Sequence, residues 1–172
     1  QLQLSADGTR GTHQATLDLQ GGLLDLSLAA AGNLQGGDWR GRLVRASVEA
    51  SGQRWALQRP VAINRLASGR LDMAAHCFVS GPATLCAPEQ RLMPDTQLRY
   101  RLRVFPLDSL AAYLPDTLGW QGELNADLKV DLPQAGPTGE ISVDAGAGTL
   151  RFREGDVWHD FPYQALVLNS RL

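Results

Sequence analysis

Apolar and polar side chains alternate at every second position through most of this 172-residue chain, and that alternation limits the fold more than any other feature. A period of two belongs to an extended strand with one face turned away from water. The plainest run is Glu123 to Leu132, where Leu124, Ala126, Leu128, Val130 and Leu132 alternate with Glu123, Asn125, Asp127, Lys129 and Asp131. From Leu98 to Val104, Leu98, Tyr100, Leu102 and Val104 oppose Arg99, Arg101 and Arg103. Similar runs are His13 to Leu19, Leu24 to Leu28, Val44 to Ala50, Gly139 to Ala145, Thr149 to Arg153 and Gln164 to Asn169. Between them lie Gly8, Gly21-Gly22, Gly32-Asn33, Gly36-Gly37, Ser51-Gly52, Ser68-Gly69, Pro133 to Gly139, Gly146 to Gly148 and Glu154 to Asp156. Gly, Asn and Asp tolerate the positive φ of tight turns, so the order strand, turn, strand predicts an antiparallel meander.

One helix is predicted, Leu107 to Leu114, with Asp108 as N-cap, Leu110 and Leu114 on one face and Pro115 as terminator. Two turns are too few for a second layer, though they could plug an end or lie in a concave face. Strand pattern reaches both ends, with Ala165 to Leu172 alternating to the last residue. Residues 1–172 are therefore expected to be a single segment, without internal boundary, of a longer β-rich protein. Its cut edges invite self-association, because an open sheet edge offers unpaired backbone groups.

Composition removes several function classes. Sixteen basic residues, fifteen of them Arg, against 18 acidic ones give a net charge of −2. That leaves no overall basic field for a nucleic acid. No run of about 18 apolar residues occurs, and Gln1-Leu2-Gln3-Leu4 does not start a signal peptide.

Chemistry-bearing residues are sparse. Cys77 and Cys86 flank the turn formers Ser80-Gly81-Pro82 and are either a disulfide across a hairpin or two reduced thiols. A bond would imply an oxidising compartment. A zinc site from His76, Cys77, Cys86 and His13 or His159 lacks paired ligand spacing. His159 stands near Asp156 and Asp160, but no nucleophile completes a triad. Gly146 to Thr149 has neither the Lys nor the following helix of a phosphate loop. The Arg99, Arg101, Arg103 stripe reads as a solvated face, with phosphate or lipid head groups as the alternative. The carboxylates form no catalytic pair. Neither enzyme activity nor a metal or cofactor is expected.

The oily face remains, rich in Leu, Val and Ala. In a β-sandwich a second sheet covers such a face, and in a curled sheet it stays open for a guest. Periodicity alone allows both.

The order of several short segments is more informative. Gly37-Asp38-Trp39-Arg40-Gly41-Arg42-Leu43 comes first, followed by Trp55-Ala56-Leu57-Gln58-Arg59-Pro60 and then Cys77 with Leu85-Cys86. Phe105-Pro106-Leu107, Leu114-Pro115 and Gly122-Glu123-Leu124-Asn125-Ala126 complete it. This order resembles the TamB family of AsmA-like bacterial envelope proteins, most clearly from Gly37 to Asp131. The resemblance implies an all-β, curled antiparallel sheet, a β-taco with an open apolar groove, in a periplasmic protein anchored in the inner membrane by an N-terminal helix. It further implies a bridge that shields phospholipid acyl chains between the two membranes and supports outer-membrane assembly. A partner of the Omp85 type, TamA, would bind through a region outside this segment. A periplasmic setting favours the disulfide. On this reading the groove lining comprises Leu17, Leu19, Leu24, Leu26, Leu28, Val44, Val48, Leu98, Tyr100, Leu102, Val104, Leu124, Leu128, Val130, Ile141, Val143, Leu150 and Phe152. The competing readings are a closed β-sandwich or solenoid scaffold or adhesin module and, further off, a carbohydrate-active β-helix.

Overall fold

A computed structural model describes residues 1–50 and 52–171. Ser51, predicted as a turn residue, and Leu172, the end of the last alternating run, lie outside the described residues.

Among the described residues sixteen strands follow one another. They are β1 (Leu2–Gly8), β2 (His13–Gln20), β3 (Asp25–Gln35), β4 (Asp38–Ala50), β5 (Gln53–Leu57), β6 (Val61–Arg65), β7 (Leu71–Met73) and β8 (His76–Ser80). Then come β9 (Ala83–Ala87), β10 (Gln90–Met93), β11 (Thr96–Pro106), β12 (Leu118–Leu132), β13 (Thr138–Asp144), β14 (Gly148–Glu154), β15 (Val157–Tyr163) and β16 (Val167–Arg171). All join one antiparallel sheet, whose main path is β1-β2-β3-β4-β5-β8-β9-β11-β12-β13-β16. The sheet is open and does not close into a barrel.

Two long strands make the sheet fork. Along one edge of β4, residues 39–43 pair with β6 and residues 47–50 with β5. Beyond them the sheet divides into β5-β8-β9, which pairs with β11, and β6-β7-β10. Near the other end, residues 125–131 of β12 pair with β13, and residues 118–122 with β14, which carries β15. Extensive contacts between elements follow the ladders, with two additions, β10 beside β11 and a helical turn against β12.

That turn corrects one expectation. Leu107–Tyr113 is a 3-10 helix whose N-cap is Pro106, without a side-chain cap bond. Asp108 sits inside the first turn instead of capping it. The fully enclosed residue of this turn is Leu107. Leu110 and Leu114 are half-buried, while Ala111, Ala112 and Tyr113 between them are exposed. Leu107 Cδ1 comes up against β12 at Gly122.

A second correction concerns Gly32. Together with Asn33 it was expected in a turn, yet it lies within β3, opposite Gly41 of β4. A Cβ at Gly32 would stand 2.7 Å from the Trp39 ring, so both glycines clear room for an indole lying across two strands. The turn here is Gly36-Gly37, with φ of 59° and 90°, as a two-residue hairpin demands.

The molecule keeps much of its surface wet. Its accessible area is 11239 Å², against about 8,200 Å² for a compact monomer of 18.6 kDa. Among the described residues only Ala46, Val61, Met73, Ala83, Ala87, Leu107 and Ala145 are buried apolar residues. A layered domain would enclose many large side chains, whereas this sheet has no second layer over it among the described residues.

Candidate functional site: the apolar face

Residues directly opposite each other in a ladder share a face, so register assembles the face strand by strand. Leu4, Leu17, Leu28 and Ala46 form one cross-strand row, and Leu2, Leu19, Leu26, Val48 and Trp55 another. Trp55 and Leu57 alternate on β5, and from Leu57 the row continues through Phe78, Leu85, Leu102, Ala126, Val143 and Leu168. Tyr100, Leu128 and Ile141 line up beside it, as do Leu98 and Val130. Leu124 faces Phe105. One apolar surface therefore runs from β1 to β16.

Most of the expected lining falls on that surface. Leu150 and Phe152 lie on the forked part, opposite Trp120 and Leu118 of β12. Three residues depart from it. Leu24 precedes β3 and is 39% exposed. Val44 is the extra residue where Arg45 faces Ala29 and Leu43 faces Ala30. Val104, with φ of 54°, is likewise extra between Leu102 and Phe105, and Phe105 takes the place expected for it. A bulge adds one residue to one strand, which shifts the alternation beyond it and cannot be seen in a run of polar and apolar letters.

Aromatic side chains meet over small residues on this face. Trp39 lies over Gly32 and Gly41, and its Nε1 donates to His13 Nε2 at 2.7 Å. Trp120 Nε1 donates to Tyr163 Oη at 2.9 Å beside Gly148. Trp55 and Phe105 stack with ring centroids 6.3 Å apart, although β8 and β9 separate their strands. Three strand spacings in a flat sheet come to about 14 Å. Rings standing upright on such a sheet could not meet, so the two side chains close over the end of the intervening β8–β9 hairpin. Ala83, on the intervening hairpin, is 1% exposed.

The opposite face is polar and paired. The Arg99 guanidinium donates to both Asp131 oxygens at 2.7 Å and to the Val130 carbonyl. Arg103 repeats this with Asp127 and the Ala126 carbonyl. Arg101 is 3.5 Å from Asp127. The arginine stripe thus engages carboxylates of β12. Cys77 and Cys86 are opposed on β8 and β9 and form a disulfide, S–S 2.08 Å. His159 stands 3.9 Å from Glu154 on an exposed hairpin, while Asp160 binds Arg151. Among the described residues no cluster of His, Cys, Asp and Glu is arranged to hold a metal ion, and no helix is long and apolar enough to cross a membrane.

His76, weighed in the sequence only as a zinc ligand, and Gln90, not singled out at all, are the buried polar residues among the described residues, at 6% and 4% exposure. Both occupy positions of the apolar face. The only available signal was a polar residue at an apolar register within strands too short to show a period.

A single open antiparallel sheet with a continuous apolar face defines the fold class, nearly all β with one short helical turn. The family model for the TamB N-terminal domain matches residues 1–172, and the chain belongs to the TamB family. Membership assigns it to the translocation and assembly module of the bacterial envelope, a system in which the family associates with a TamA-type partner. No curated protein and no solved structure matches the chain.

Proposed function

We propose that this segment is a non-enzymatic part of a periplasmic bridge, shielding phospholipid acyl chains on its apolar face as they pass between inner and outer membranes. The observation that carries the reading is the apolar surface continuous in register from β1 to β16, with no second layer upon it among the described residues. A sixteen-carbon chain leaving a bilayer for water loses about 13 kcal/mol, at about 0.8 kcal/mol per CH₂. A surface of Leu, Val and Ala offsets most of that cost, and its uniformity avoids a single tight stopping point. Head groups remain in water, so no charge is dehydrated. Anchoring in the inner membrane and docking to TamA belong on this reading to regions outside residues 1–172.

Photocrosslinkable residues at Leu124 and Leu128, facing Phe105 and Tyr100, test the proposal. Irradiation in cells is expected to yield phospholipid adducts at both positions and none at Lys129 on the polar face. Equal yields at all three positions, or adducts elsewhere in the protein but none here, would leave only a scaffold module.

A further inference from the structure

Between the flanks of the sheet the apolar face narrows. On β12 it has five positions, Leu124, Ala126, Leu128, Val130 and Leu132, none of them buried. The main path through the centre runs by β5, β8 and β9 and offers fewer. Three cross-strand pairs of the β8–β9 hairpin share the face, Ser80 with Ala83, Phe78 with Leu85 and His76 with Ala87. Ala83 and Ala87 are 1% and 5% exposed, whereas Phe78 and Leu85 between them are half-buried. The row that stays open across the centre is Leu57, Phe78, Leu85 and Leu102.

Different side chains close the two outer pairs. On the turn side the stacked Trp55 and Phe105 rings reach over the end of the hairpin, and Phe105 is on this face because the extra residue Val104 puts it there. On the other side the His76 ring stands edge-on to Phe78 and to Tyr100, with centroids 5.8 Å apart in each case. Hydrogen bonds fix that second wall. His76 Nδ1 lies 2.9 Å from the Ala74 carbonyl and Nε2 3.3 Å from Tyr100 Oη. Gln90 Nε2 donates to Tyr100 Oη at 3.2 Å, and Gln90 Oε1 accepts the Arg99 backbone N–H at 3.0 Å. Buried polar groups satisfied in this way are costly to pull apart.

The β6-β7-β10 branch provides no second open row. Its apolar-face positions Val61, Met73 and Gln90 are buried, and Arg65 follows Ile63 on the same side of β6. Width then limits the row that is left. Ala83 and Ala87 are four residues apart, about 13 Å along a strand. At about 4 Å per contact, one hydrocarbon chain between two walls needs about 8 Å from wall atom to wall atom, and two need about 12 Å. The rings over Ala83 and those beside Ala87 stand inside the span, which leaves room for one.

We propose that Leu57, Phe78, Leu85 and Leu102 form a single-file lane along which hydrocarbon crosses the centre of the sheet one chain at a time. The inference rests on the acyl-chain reading above and adds to it the route and the number of chains. The two tails of a phospholipid cross the lane in succession, although the flanks have room for several. The lane is as apolar as the flanks, so it limits traffic without holding a guest.

Photocrosslinkable residues in the full-length protein in cells test the lane. Phospholipid adducts are expected at Leu57 and Leu102, its two ends, at yields close to that at Leu128. Ile63 on the other branch should give about tenfold fewer. Leu85→Gln puts an amide in the lane that a passing chain must strip of water, and it should cut adducts about tenfold at one flank, Leu28 or Leu128, while the other keeps its yield. Val130→Gln, with other apolar positions beside it on β12, should leave both flanks unchanged. Equal adducts at Ile63 and Leu57, or flank yields untouched by Leu85→Gln, overturn the lane and leave the acyl-chain reading standing. Adducts at none of these positions, Leu28 and Leu128 included, sink that reading and the lane with it. Should Leu85→Gln not fold, the comparison of Leu57 with Ile63 decides.

Discussion

The centre of the sheet and its flanks hold together by different means. In the flanks, β2 to β4 and β11 to β13 run for seven to 15 residues and pair along nearly their whole length. Backbone ladders carry them, and their apolar side chains stay half exposed. In the centre, β5 to β10 have three to five residues each. Short ladders supply few bonds, and the structure compensates with side chains: the Cys77–Cys86 disulfide, the His76, Tyr100 and Gln90 chain, and buried Val61, Met73, Ala83 and Ala87. A single-layer sheet can therefore be long-stranded and open, or short-stranded and cross-linked, within one chain.

Three variants test that contrast. Replacing Cys77 and Cys86 by Ser should cost roughly 2.5 to 3 kcal/mol, the loop entropy of a ten-residue closure, read as a lower denaturant midpoint. Loss of protection should concentrate in residues 76–87 and leave β2 and β3 unaffected. An even loss throughout would remove the distinction between centre and flank. In the flank, Gly41→Ala places a methyl 2.6 Å from the Ala31 carbonyl oxygen and against the Trp39 indole. Overpacking there should cost about 1 to 3 kcal/mol, with a change in Trp39 fluorescence as its hydrogen bond to His13 is lost. A neutral result would mean that the indole does not rest on the glycines. Asp131→Asn on the polar face should cost under about 1 kcal/mol despite its two short bonds to Arg99, because both side chains are about a third exposed. A larger loss would show that the flanks also depend on side-chain fastening.

Legibility in the sequence follows the same division. Long flank strands contain enough residues for a period of two to stand out, so Glu123 to Leu132 and Leu98 to Val104 were recognisable within strands that extend further, β12 and β11. Three- to five-residue strands contain too few alternations, which is why β5 to β10 were not resolved as individual strands and the burial of His76 and Gln90 was not foreseen. Bulges at Val44 and Val104 displaced two expected lining residues, since a bulge is a relation between two strands and leaves no mark on one. Gly32 carried the letter of a turn but the role of a clearance beneath Trp39, 7 positions away, visible only once β3 and β4 were paired.

What the chain settled by itself was the element type and the separation of oily from polar side chains, because both depend on neighbours one or two residues apart. The Cys pairing was legible as one of two readings, because the turn formers Ser80 to Pro82 lie between the two residues. Tertiary structure decided which strands share a row, that β4 and β12 each carry two shorter strands in tandem, and that no layer lies over the oily face among the described residues. Those outcomes depend on backbone groups and side chains meeting from distant positions, and a linear pattern holds no record of the distances between them.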